Sequence, residues 1–128
     1  MKISYLLCVL LAGLAACALV EPTANFNVQT QTALSRSDAV DCAVAAINSV
    51  AGSQPNWKTT PLEQDVVNGT VQTGHFSKAG VIGIRVKLVY DPAQRRYAGQ
   101  IKASGPYYSD LGAKDAAADL SAALAQCR

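Results

Sequence analysis

The side chains with the most chemistry in this 128-residue chain are four cysteines, at positions 8, 17, 42 and 127, and one histidine, His75. Histidine titrates near neutrality and could act as a general base, but that work needs a nucleophile and an orienting carboxylate beside it. No local motif around His75 supplies them, and a histidine at a strand end before a turn is more often solvated or half-buried. The cysteines show no Cys-x-x-Cys spacing and, with a single histidine, form no metal-ligand pattern. Asp38 and Asp41 lie three apart, Asp115 and Asp119 four apart. Solvation and helix-end electrostatics explain both pairs more simply than a bound cation. Gly80 and Gly83 stand before and inside a strand, as turn and packing glycines, rather than in a phosphate-cradling loop after one. The expectation is a chain with no catalytic residues, no metal and no cofactor.

A basic group is the better candidate for recognition. Arg85, Lys87 and Lys102 are expected to project from one sheet face, with Arg95 and Arg96 at the adjoining loop. Phosphates or carboxylates would be drawn to such a surface, by about 1 kcal/mol per cation near a charged membrane. The same charges would also keep an exposed sheet soluble and unpaired. Globally, 11 basic residues face 9 acidic ones, a formal charge of +2, which gives no argument for nucleic acid. Trp57, the only tryptophan, sits in a loop bracketed by Pro55 and Pro61, where it reads as a lid over the core edge more readily than as a recognition aromatic.

The first residues carry an address. Met1 and Lys2 are followed by an apolar run from Tyr5 and by small residues before Cys17, the three parts of an export signal. The run to Val20 ends at Glu21, short of the ~20 residues that a membrane-spanning helix needs. Leu14-Ala15-Ala16-Cys17 resembles the lipobox of bacterial lipoproteins, in which a leucine, two small residues and a cysteine direct diacylation of the thiol and cleavage before it. The resemblance covers residues 1–17 only. It implies a lipid (palmitate-type) anchor at Cys17 and, since Ala18 is not the aspartate of inner-membrane retention, an outer-membrane protein facing the periplasm. With two or three acyl chains such an anchor is essentially permanent. In that setting Cys8 leaves with the leader and Cys17 is acylated, so Cys42 and Cys127 remain as an even pair in an oxidising compartment. One disulfide is expected, contributing up to ~4–5 kcal/mol in the chain-entropy model.

The elements that must position these residues follow from patterning. The divisions are a signal peptide at 1–16, a lipidated flexible tether at 17–34 and a single domain at 35–128. The tether is Thr-, Asn- and Gln-rich with no sustained period. Ser35 to Ala51 predicts a helix, with Ser35 or Ser37 as cap and Val40, Val44, Ile47 and Ala51 on one face. Glu63 to Phe76 is strand-like but interrupted at Asn68-Gly69 by either a turn or a bulge. Val81 to Tyr90 and Tyr97 to Ala103 form a hairpin in which Tyr90 meets Tyr97, Leu88 meets Gly99, Val86 meets Ile101 and Ile84 meets Ala103 on an apolar face. Val89–Ala98, Lys87–Gln100 and Arg85–Lys102 pair on the other face, where like charges directly opposite are unfavourable. Asp110 to Gln126 predicts a second helix, capped by Ser109 or Asp110, with Tyr107-Tyr108 just before it. Ala113, Ala116, Leu120, Leu124 and Cys127 share one of its faces.

Together these features predict an α+β two-layer sandwich in the order α-β-β-β-α, a three- to four-stranded antiparallel meander with both helices on one face. The expected function is that of a lipid-anchored, non-catalytic binding or accessory module. It would contact an envelope protein, peptidoglycan or an anionic glycolipid through the basic face. The alternative is a periplasmic small-ligand carrier or a small hydrolase using His75.

Overall fold

Ala24, Phe26 and Val28 alternate with Asn25, Asn27 and Gln29, a period of two that suits a strand with one apolar and one polar face. A computed structural model, describing residues 21–52, 54–105 and 110–128, forms this strand within the expected tether. The elements run β1 (Thr23–Gln29), α1 (Arg36–Ala51), β2 (Leu62–Asp65), β3 (Thr70–Thr73), β4 (Gly83–Asp91), β5 (Arg96–Ser104) and α2 (Asp110–Leu124). The leader, Cys17, Ser109 and the Tyr107-Tyr108 pair lie outside the described residues.

The fold is α+β, with a five-stranded antiparallel sheet in the order β1-β5-β4-β3-β2 and both helices against one face. Five strands stand where three to four were expected. β1 adds to the free edge of β5, and Glu63 to Phe76 divides into β2 and β3. The division falls at residues 66–69, a turn rather than a bulge. There the Asp65 carboxylate accepts from the Val67 and Asn68 amides, at 3.1 Å each, and from the Asn68 side chain at 2.7 Å. Gly69 takes the left-handed conformation that closes the turn (φ 68°).

β4 and β5 pair in the register expected from their patterns, from Ile84–Ala103 through Tyr90–Tyr97. Ile84, Val86, Leu88, Tyr90, Tyr97, Ile101 and Ala103 of that ladder are buried on the helix-covered face, while the Val89–Ala98 pair lies exposed on the other. Gly99 is a glycine for a packing reason: a Cβ there would lie 2.2 Å from Cζ of Phe26, whose ring covers it from β1. Tyr90 and Tyr97 are buried side by side, ring centroids 4.8 Å apart. Their hydroxyls fasten the other layer. Tyr97 donates to the Ala39 carbonyl at 2.7 Å, while Tyr90 accepts from the Leu34 amide at 3.1 Å and bonds Thr30 Oγ1 at 3.1 Å. Burial first, and the neighbouring Tyr90 second, push the Tyr97 phenol far above its ordinary value.

Ser35 caps α1, its Oγ accepting from the Asp38 amide at 3.1 Å. The buried stripe is Ala39, Val40, Ala43, Ala46 and Ile47, turned from the expected one so that Val44 and Ala51 sit only half-buried. Small residues win the contact because α1 must approach both the sheet and α2 closely. α2 buries Ala113, Ala116, Ala117, Leu120 and Leu124. The two helices are joined by the Cys42–Cys127 disulfide, whose Cα atoms are 5.9 Å apart and whose residues are 85 apart in sequence.

Candidate binding face

The helices cover one side of the sheet, so any surface the sheet itself offers lies on the other. Register places Arg85 opposite Lys102 there, as expected. Neither projects into solvent as the sequence implied. Residues 74–82 fold back over this end of the sheet and leave Arg85 fully buried. Its Nη1 donates to the carbonyls of His75 (3.2 Å), Phe76 (3.3 Å) and Lys78 (2.7 Å), and its Nη2 pairs with Glu21 at 2.5 Å. Its Nε has no partner among the described residues. Lys102 Nζ donates to the Phe76 carbonyl at 3.1 Å and lies 4.4 Å from the centre of the Phe76 ring.

The physical reason is that two cations facing one another need acceptors. A guanidinium with five donors can gather a loop of carbonyls around itself, and Glu21 supplies the countercharge. Glu21 also accepts from the Gly80 amide at 2.6 Å. Partial burial works against its ionisation. The Gly80 amide, Arg85 and Lys102 outweigh that and hold its carboxyl below the usual carboxylate range. Glu21, which the sequence reading left inside a tether, is therefore a structural residue.

What remains open on this face can be read across the strands. The register aligns Asn25, Gln100, Lys87, Gln72 and Glu63 in one transverse row, one residue from each of the five strands. With adjacent strands about 4.8 Å apart, the row extends roughly 19 Å. Asn25 and Glu63 are exposed and the middle three half-buried. The next row holds Asn27, Ala98, Val89, Thr70 and Asp65, and beyond it Arg96 pairs with Asp91 and Gln29. Arg95 and Arg96 are exposed at the β4–β5 turn, with Arg95 in the left-handed region (φ 53°). Lys87, Arg95 and Arg96 therefore stay on the surface, but among carboxylates and amides rather than as part of a cationic field.

His75 is exposed on the turn after β3, also left-handed (φ 53°). It lines a depression of about 140 Å³ with Glu63, Gln72, Phe76, Ser77 and Lys78. The residue types of a base, a nucleophile and a carboxylate meet there, yet among the described residues no hydrogen bond joins His75 to Ser77 or Glu63. Trp57 is buried against the start of β4, where it bridges Ile84, and its Nε1 donates to Gln54 at 3.2 Å. Asp38 belongs to the first turn of α1, and Asp41, Asp115 and Asp119 are exposed. Among the described residues no group of three or more His, Cys, Asp or Glu side chains could hold a metal ion, and no helix is long and apolar enough to cross a membrane.

β1 and the polar row were legible in principle. The alternation in Thr23–Gln29 was the signal for the strand, and pairing it on β5 would have extended the row. The fold-back of 74–82 had no comparable signal. No protein-family model matches the chain, and no curated protein matches it.

Proposed function

We propose that the protein is a lipid-anchored cell-envelope lipoprotein, acylated at Cys17, that serves as a non-catalytic binding or accessory module. It sits on the outer membrane facing the periplasm and meets its partner on the uncovered sheet face. The observation that carries the binding part is the row Asn25, Gln100, Lys87, Gln72 and Glu63, which offers amides, an ammonium and a carboxylate across the whole sheet. Three amides, each both donor and acceptor, are combined with one cation and one anion. Such a surface suits peptidoglycan, whose sugars bear hydroxyls and amides and whose peptides bear carboxylates and amines. It suits the phosphate-dense surface of an anionic glycolipid less well, because Arg85 and Lys102 are occupied internally.

Sedimentation of the purified lipoprotein with insoluble cell-wall sacculi tests this. The native protein is expected in the pellet. A Lys87→Ala, Gln100→Ala variant that loses two hydrogen-bonding groups is expected to bind about tenfold more weakly, at roughly 0.5–1.5 kcal/mol per bond. Equal recovery of variant and native protein, or native protein left in the supernatant, rejects the peptidoglycan partner.

The depression around His75 supports a second reading, a small hydrolase or a ligand carrier, because Ser77 and Glu63 line it too. Hydrolysis of ester or amide substrates that disappears in His75→Ala, with unchanged sedimentation, would favour it.

A further inference from the structure

Glu21 follows Cys17 by four residues. A chain advances at most ~3.6 Å per residue, so the two Cα atoms are separated by no more than about 14 Å. Glu21 is itself fixed, through Arg85 and the Gly80 amide, to one end of the sheet. That end comprises the start of β4, the end of β5, and the loops 54–61 and 74–82. The Lys58 amide bonds the Ile84 carbonyl, and the Ala103 amide bonds the Pro22 carbonyl. Wherever the thiol of Cys17 is held, this end of the domain is held close to it.

The surface there has a composition of its own. Lys58 and Lys78 are exposed, and Ile82 is 65% exposed, among the most exposed large apolar side chains of the described residues. Lys58 and Ile82 line one depression of about 300 Å³ with Trp57 and Gly83. In these loops and the strand ends beside them, Lys58, Lys78, Arg85 and Lys102 stand against Glu21 and Glu63. Glu21 is engaged by Arg85, so the accessible balance is positive.

We infer that this end of the domain seats on anionic phospholipid: Lys58 and Lys78 meet headgroup phosphates and Ile82 enters the headgroup layer. The inference rests on the lipoprotein reading and adds an orientation to it. A seated domain stands with its strands along the membrane normal, and the nine-residue strands β4 and β5, at about 3.3 Å per residue, lift Arg95 and Arg96 roughly 30 Å from the headgroups. The polar row then faces sideways, midway up the domain, clear of the bilayer.

The test uses the full lipidated protein on vesicles of phosphatidylcholine alone, or of phosphatidylcholine with phosphatidylglycerol. Flotation and amide hydrogen exchange are read together. The expected result is flotation on both compositions, with residues 54–61 and 74–82 protected on the anionic vesicles only. At about fivefold per lysine near an anionic surface, Lys58→Glu with Lys78→Glu should lower the seated-to-lifted ratio at least about thirtyfold. Ile82→Asn, an exposed position that leaves the lysines in place, should weaken protection independently. Flotation with no protection of the loops on anionic vesicles, or with equal protection on phosphatidylcholine, overturns the seat and leaves the anchor standing. Protection by free inorganic phosphate at the same concentration also overturns it, since the loops would then be an anion site and not a membrane contact. Failure to float on either composition overturns the anchor and the seat together.

Discussion

Removing the Glu21 carboxylate tests the interior of the sheet's far side. In Glu21→Ala the Arg85 guanidinium keeps its three carbonyl acceptors but loses its ion pair with Glu21 while remaining fully buried. Breaking a buried pair from one side costs about 3–5 kcal/mol, because the remaining charge is left uncompensated. The Glu21 side chain is 19% exposed, so water can partly replace it, and about 2–3 kcal/mol is the better expectation. Glu21→Gln keeps an acceptor for the Gly80 amide and should lose about 1–2 kcal/mol. Urea unfolding of the oxidised protein in detergent gives the midpoints, and hydrogen exchange at 75–80 should accelerate in both variants. The pH dependence carries the sign. The folded-state carboxyl lies below its ordinary value of 4.5, so its contribution is complete above that pH and is lost as pH falls through the lower folded value. The gap between native and Glu21→Gln proteins should therefore close only in acid below 4.5. A Glu21→Ala protein within about 0.5 kcal/mol of native, with unchanged exchange at 75–80, would show that the carbonyls alone hold Arg85 and would refute the clamp.

Reduction of Cys42–Cys127, or its replacement by alanines, should lower stability by about 4 kcal/mol, read as a shift in the urea midpoint between oxidised and reduced protein. Gly99→Ala should expel the Phe26 ring and lose about 1–3 kcal/mol, and a double-mutant cycle with Phe26→Ala should show strong coupling, since the two positions share one volume. Tyr97→Phe removes the bond to the Ala39 carbonyl and should cost about 0.5–1.5 kcal/mol, measured by the same unfolding curves. Charge reversal at Lys87 and Arg96, which are not buried, should change partner binding without unfolding the domain. The same reversal at Arg85 should unfold it.

The hairpin of β4 and β5 was legible because its two faces differ at every step, so one register alone satisfies both. The Cys42–Cys127 bridge followed from an even pair of cysteines once a compartment was assumed. β1 was obscured by its surroundings: a seven-residue edge strand with asparagines on its open side has the composition of a linker, and only its alternation speaks against that. Arg85 was misplaced for a different reason. Alternation assigns a residue to a face, but a face is exposed only if no other segment returns to cover it. That return is written in contacts between Arg85 and backbone carbonyls, which carry no side-chain signature. The alanine-rich stripe of α1 shows a similar limit. Hydropathy favours Val44 and Ala51, whereas close packing against two layers selects the side with Ala39, Ala43 and Ala46.

The central claim is a disulfide-closed domain held to a membrane by lipid at Cys17, and the intact mass of the protein purified from membranes of its own host tests it most directly. The measurement is made without reductant, before and after thiol alkylation. The account predicts the mass of Cys17 to Arg128 plus two or three acyl chains, less two hydrogens for the Cys42–Cys127 bond, and no change on alkylation. A mass without lipid, or one that gains two alkyl groups, would contradict it.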